Sequence, residues 1–157
     1  METMDNDPAV IEEMLSTAKT IAVVGMSDKT WRASYNIGRY LAGVGYRVLP
    51  VNPGISEVLG LKSYPDLAAA DAAAREETGA GIDVVNVFRA SEYVSAIVDE
   101  VIRLGIPYLW LQDEVIDDEA VARACAAGVK CVQDDCIFRE HSKRADLLVR
   151  KLEQKLL

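Results

Sequence analysis

A doubly wound α/β fold with a parallel sheet is predicted by three observations. Apolar, largely β-branched runs of strand length, among them Ile21 to Val24 and Tyr46 to Val51, lack polar alternation and read as strands buried on both faces. Helical patterns separate these runs, so that strands and helices alternate strictly along the chain. Single glycines close the patterns at Gly25, Gly45, Gly105 and Gly128. Strands are expected at about 21–25, 46–51, 61–64, 83–88, 107–111 and 129–132, in the order 3-2-1-4-5-6 with right-handed crossovers. One three-layer domain over 1–157 is expected, with an N-terminal helix in 1–18 and a C-terminal helix over 137–157.

Pro8 to Lys19 carries Val10, Ile11, Met14 and Leu15 on one side and reads as a short amphipathic helix over a sheet edge or the underside of the domain. Thr20 to Gly54 is a βαβ unit. Its helix has Ile37, Leu41 and Val44 at i, i+4 and i+7, with Ser34 as N-cap and Gly45 as the C′ residue. Its second strand stops at Asn52-Pro53-Gly54. Ser56 to Gly60 is a turn and Leu61 to Tyr64 a short strand. Ala68 to Gly81, rich in Ala and Glu, is expected to be an exposed helix plus a flexible loop, the most dispensable part of the chain. After the strand Ile82 to Phe88, Ser91 caps a helix bearing Val94, Ile97, Val98, Val101 and Ile102. Pro107 to Leu111 is the next strand. Asp117-Asp118-Glu119 puts negative charge at the start of a helix that buries Val121, Ala122 and Cys125. Val129 to Val132 is the last strand.

The chain has 157 residues, half of them hydrophobic, enough for a sizeable core. No stretch approaches the roughly 20 apolar residues of a membrane span, and the acidic N-terminus lacks the pattern of a signal peptide. The expected compartment is the cytoplasm. Cys125, Cys131 and Cys136 show no CxxC spacing, which argues against a disulfide framework or a zinc site. A net charge of −8 argues against nucleic acid as partner and makes local cations conspicuous.

In a doubly wound sheet the ligand crevice lies past the strand C-termini at the topological switch point. The predicted lining is therefore Gly25 to Arg32 (with Met26, Ser27, Lys29 and Thr30 between), Asn52-Pro53, Phe88-Arg89 and Gln112. The first loop would aim backbone N–H groups and a helix N-terminus at an anion. A dinucleotide fingerprint would need further glycines where Ser27 and Thr30 stand, and an acidic residue where Asn52 stands, which disfavours NAD(P). The hydroxyls and cations of Ser27, Lys29, Thr30 and Arg32 suit a ligand with several phosphates, a demand that coenzyme A meets.

The blocks GMSDKTWRASYNIGRYL, GYRVLPVNPG, LGLKSYPDL, DVVNVFRASE, LWLQ and GVKCVQDDCIFREH together resemble the small stand-alone CoA-binding proteins. These are similar to the CoA-binding domain of the succinyl-CoA synthetase α subunit and of ADP-forming acyl-CoA synthetases. The resemblance spans about residues 18 to 142. It implies a Rossmann-like fold with CoA phosphates over Gly25 to Arg32, Asn52-Pro53 nearby, and the adenosine passing Val87-Phe88-Arg89 and Leu111-Gln112. The chain departs from that family at Thr30-Trp31, at Asp113-Glu114 and at Gln133-Asp134-Asp135; the last two sites add carboxylates near the crevice.

Ligases of that type use a phosphorylated histidine and further domains, whereas His141, the only histidine, lies beyond the last strand and reads as a surface or helix-start residue. The expected function is a CoA- or acyl-CoA-binding module without complete catalytic machinery, with no metal and with a small nucleotide ligand rather than nucleic acid or membrane. A homo-oligomer or a protein partner is compatible with this. Two alternatives stay open: an NAD(P)- or CoA-thioester-dependent enzyme using Cys136, and a degenerate nucleotide fold serving as a protein-interaction surface.

Overall fold

The computed structural model describes residues 5–156; the expected terminal helices reach residues 1–4 and 157, which lie outside the described residues. Five parallel strands form the main sheet: β1 (Thr20–Val24), β2 (Arg47–Val51), β5 (Val84–Val87), β6 (Tyr108–Leu111) and β7 (Lys130–Val132). Their order is β2-β1-β5-β6-β7. Helix α2 (Ala33–Gly43) links β1 to β2 and packs on one face, together with α1 (Pro8–Thr17) and α6 (Ile137–Lys143). Helices α3 (Leu67–Thr78), α4 (Val94–Leu104) and α5 (Asp118–Ala126) cover the other face. Strand alternation sorts the core accordingly. Ala22, Val24, Val85 and Val87 face α3, α4 and α5, whereas Ile21, Val23 and Val84 face α1, α2 and α6. The fold is thus α/β and doubly wound, and the chain reverses direction between β1 and β5.

The expected strand at 61–64 does not join this sheet. Leu61–Lys62 (β4) instead pairs antiparallel with Glu57–Val58 (β3). The two-residue turn between them has φ of 55° at Leu59 and 74° at Gly60, the signs of a type I′ hairpin. The outer edge of β2 explains why. Tyr64 N donates to Pro50 O and Asn52 N donates to Tyr64 O, so Pro50 faces that edge without an N–H to offer. The position expected for a third strand therefore holds only the parallel bridge Val51↔Tyr64.

Several local expectations are corrected. Ser34 is not the N-cap of α2: Arg32 holds that position, and the Ser34 hydroxyl turns inward to accept from Ser27 N at 2.9 Å. Ser91 does not cap a helix directly. It opens a 3₁₀ turn (Ser91–Tyr93) that runs into α4, and its hydroxyl accepts from Ile116 N across the crevice loops. Helix α5 buries Ala120, Val121 and Ala124, leaving Ala122 and Cys125 exposed, because its apolar stripe is set by position 120 and its i+1 and i+4 neighbours. The C-terminal helix is two helices, α6 and α7 (Ala145–Leu156), parted at Arg144.

The segment 68–81 is not dispensable. Helix α3 buries Leu67, Ala70 and Ala74 against the sheet, its small side chains allowing close approach. Asp71, only 4% exposed, accepts from Ile82 N at 2.9 Å and pairs with Arg75 Nε at 2.9 Å, tying the helix to the chain entering β5. Asp71→Ala is expected to cost about 1–3 kcal/mol in urea unfolding, the penalty for orphaning a buried N–H and an arginine. A loss below about 0.5 kcal/mol would contradict this role.

His141 is likewise not a surface residue. It is buried in α6, its Nδ1 lies 2.7 Å from the Tyr40 hydroxyl, and its ring stands edge-on to Tyr40 and Tyr46. Burial lowers its pKa by disfavouring the imidazolium. The unfolded chain then binds the proton more readily, so this contribution is complete above the ordinary histidine value of about 6.5 and is lost as pH falls toward the folded value. Stability should therefore drop between about pH 7 and pH 5. The slope should flatten in His141→Asn; an identical slope in both proteins would remove His141 as its source.

Candidate functional site

A cleft of about 550 Å³ opens at the carboxyl end of the sheet, where the chain reverses direction. It is bounded by the ends of β1, β2 and β5, the start of α3, and the first turns of α4. Of the sequence-predicted residues, the structure brings together Gly25, Asn52, Pro53, Phe88 and Arg89 in this lining.

Gly25 forms the floor. The chain leaves β1 there with φ of 85°, a left-handed backbone that glycine adopts without penalty. A Cβ at this position would stand 3.0 Å from Arg89 Cγ and 3.5 Å from the Phe88 carbonyl carbon. The two loops can approach this closely because position 25 has no side chain. Asn52 clips the floor to the β2 end: its Nδ2 donates to Met26 O at 2.9 Å, while its Oδ1 accepts from Gly54 N at 2.8 Å. Both ends of the amide are thus committed to shaping loops.

Lys29, Thr30 and Arg32 stand exposed on the loop that climbs from Gly25 to α2, and Ser27 is half-buried beneath them. The Ser27 hydroxyl accepts from Lys29 N at 3.0 Å, and Arg32 N donates to Lys29 O, giving the loop a tight turn. Lys29 has only Asp28 near it, at 3.9 Å, and Arg32 forms no ion pair among the described residues. Arg89 lies over the Tyr93 ring, 3.7 Å from its centroid, and also lacks a carboxylate partner among the described residues. On a chain of net charge −8, Arg32 and Arg89 thus stand without a carboxylate partner among the described residues, and Lys29 has only its sequence neighbour Asp28.

The helix behind that turn begins without protection. Helices α1, α3 and α5 start on Asp7, Asp66 and Asp117, whose carboxylates accept from Ala9, Ala69 and Ala120. Helix α2 starts on Arg32, with no side-chain cap and no acidic residue in its first turn. Its positive end and free N–H groups stay available to an anion.

The remaining predicted residues sit elsewhere. Met26 and Val87 are fully buried in the core. Gln112 is buried as well: its Oε1 accepts from Asn86 Nδ2 at 3.1 Å and from Ile137 N at 3.0 Å, joining β5 to the start of α6. Cys136 is buried at the start of α6, outside the cleft lining. The added carboxylates near the crevice are largely engaged in the scaffold. Arg139 bridges Asp113 at 2.8 Å and Asp135 at 2.9 Å, and Asp134 accepts from Glu114 N. Trp110 is core, its Nε1 donating to Asp135 O, while Trp31 is 75% exposed. No cluster of metal-ligating side chains occurs among the described residues, and no helix among them is long and apolar enough to cross a membrane.

Pro65, Asp66, Tyr93, Ile97 and Glu100 also line the cleft and escaped sequence reasoning. The proline at position 50 was the available signal for the first two. It limits the edge of β2 to the Tyr64 bridge and so brings the start of α3 beside Asn52. Tyr93 and Ile97 enter through the 3₁₀ extension of α4, which has no sequence mark of its own.

Residues 19–142 match the family model of a CoA binding domain. The Bacillus subtilis protein YneT is 35% identical over 134 residues, 85% of this chain and 93% of its own length. A hypothetical protein from Pyrococcus horikoshii OT3 superposes with a TM-score of 0.78 at 34% identity, covering 91% of this chain and 98% of the other. Acetyl-coenzyme A synthetase 1 (dinucleotide forming) of Ca. Korarchaeum cryptofilum, in complex with phosphate and ADP, matches with a TM-score of 0.62 at 26% identity. That match covers 78% of this chain and 27% of the synthetase. With the family model spanning most of its length and a relative above 30% identity along 85% of it, this chain belongs to the CoA binding domain family.

Proposed function

We propose that the chain binds coenzyme A or an acyl-CoA, with the phosphates held by the Gly25–Arg32 turn and the start of α2. The observation that carries this reading is the uncapped, cation-flanked start of α2 beside a glycine floor, at the switch point of the sheet. In this reading Ser27, Lys29, Thr30 and Arg32 bind the phosphate oxygens, and Arg89 adds charge from the opposite loop. Asn52 and Pro53 hold the floor in shape rather than donate to the ligand. Phe88, Tyr93 and Ile97 offer an apolar wall, and a cleft of about 550 Å³ lies in the usual range of small-molecule sites. Met26, Val87 and Gln112 act from behind, as packing that fixes the loops. Family membership supports the ligand class. The chain's part is binding: it orients a nucleotide, and no group that transfers an acyl or phosphoryl moiety is proposed.

Calorimetric titration with CoA, acetyl-CoA, NAD and NADP tests the ligand class. CoA binding with no measurable NAD binding is expected; the reverse preference would reject the reading. Arg32→Ala and Lys29→Ala are each expected to weaken CoA by about 1–3 kcal/mol, the value of a hydrogen bond to a charged group, while adenosine affinity changes little. Unchanged CoA affinity in both variants would remove the turn as the phosphate cradle. Gly25→Ala should lower stability by about 1–2 kcal/mol, because an L residue there adopts left-handed backbone, and should weaken CoA in the folded variant. CoA binding at full strength to Gly25→Ala would show that the floor is not in contact with the ligand.

A further inference from the structure

A second groove, of about 430 Å³, lies on the outer face of α2 and shares no lining residue with the cleft. It is walled by Ile37, Tyr40 and Val44 of α2 and by Phe138 of α6, whose ring stands edge-on to Tyr40 with centroids 4.6 Å apart. Val44 and Phe138 are 44% and 42% exposed, so the wall is apolar surface left open. The polar groups beside it are already engaged. Asn36 Nδ2 donates to Thr30 O and Arg32 O, and its Oδ1 accepts from Arg39 Nη2 at 3.3 Å. The Tyr40 hydroxyl is paired with His141 Nδ1. At Gly43, which also lines the groove, a Cβ would meet nothing within 4 Å.

Helical spacing connects this groove to the start of α2. Arg32, Asn36, Arg39 and Gly43 recur at i, i+4, i+7 and i+11, which puts them on one face. The opposite face buries Ser34, Gly38 and Leu41. A ligand seated at the N-terminus of α2 and running along the outer face reaches Gly43 after about 16 Å, at 1.5 Å per residue. Charge follows the same line. Arg32 and Arg39 have no carboxylate partner among the described residues, so the face offers two cations and then an apolar wall. That order complements a ligand with an anionic head and an apolar tail. We propose that the groove is an acyl site, holding the aliphatic chain of an acyl-CoA whose phosphates occupy the start of α2. The inference rests on the phosphate placement proposed above and adds to it the chemical class of the acyl group. Arg39 lies alongside the polar arm between phosphates and chain, while Ile37, Val44 and Phe138 take methylenes out of water. An acetyl group carries no methylene to place there.

The test is calorimetric titration of the full chain with CoA, acetyl-CoA, octanoyl-CoA and free octanoate. Octanoyl-CoA is expected to bind about tenfold or more tightly than acetyl-CoA, because each methylene buried favours the complex. Gly43→Leu places a side chain in the open groove, at a helical position where a Cβ meets no neighbour. It should abolish the octanoyl gain while CoA binds as before. Equal affinities for acetyl-CoA and octanoyl-CoA would overturn the acyl site and leave CoA binding itself standing. Failure of all three CoA compounds to bind would overturn both. An octanoyl gain that persists in Gly43→Leu would place the chain elsewhere and reject the groove. Octanoate binding as tightly as octanoyl-CoA would make the groove a fatty-acid site unconnected to the phosphate turn, and the proposal would fall.

Discussion

The missing side chain at position 25 is the constraint on which the cleft depends. Strand β1 must hand the chain to α2 on one face of the sheet while β5 hands it to α4 on the other. The two loops meet at Gly25, whose left-handed backbone turns toward α2 and whose bare α-carbon lets Arg89 and Phe88 close in. Gly25 N still donates to Val51 O, so the strand ladder continues right up to the turn. A residue with a Cβ would oppose both the turn and the approach, and the crevice would lose its floor.

Around that floor the structure separates committed polar groups from uncommitted ones. Asn52, Ser34 and Gln112 commit their hydrogen bonds to backbone groups, and Gln112 also to the Asn86 side chain, which fixes the shapes of the loops they join. The acidic side chains near the crevice are engaged in the same way, Asp113 and Asp135 with Arg139 and Asp134 with a backbone N–H. Lys29, Arg32 and Arg89 have no comparable partner among the described residues. On an acidic chain these cations stand near the bare start of α2, whose positive end has no capping carboxylate.

Much of this was legible in the chain itself. The β-branched runs, the helical spacing and the closing glycines identified a parallel α/β sheet because local periodicity reports burial directly. The loop bearing Ser27, Lys29, Thr30 and Arg32 stood out because hydroxyls and cations beside a strand-ending glycine have a specific physical use. The family resemblance rested on whole blocks such as GYRVLPVNPG, and family membership follows from the match over residues 19–142.

What the sequence alone determined was therefore the order of the elements, the doubly wound class and the neighbourhood of the site, all properties of local pattern and chain order. Tertiary structure decided which polar residues are free. Asn52 and Gln112 read as ligand groups until their partners, distant in sequence, are seen to occupy them. His141 read as a surface residue until two tyrosines from another part of the chain enclosed it, and 61–64 read as a sheet strand until Pro50 met it without an N–H. Hydrogen-bond satisfaction and burial depend on residues far apart in the chain, and no local pattern encodes them.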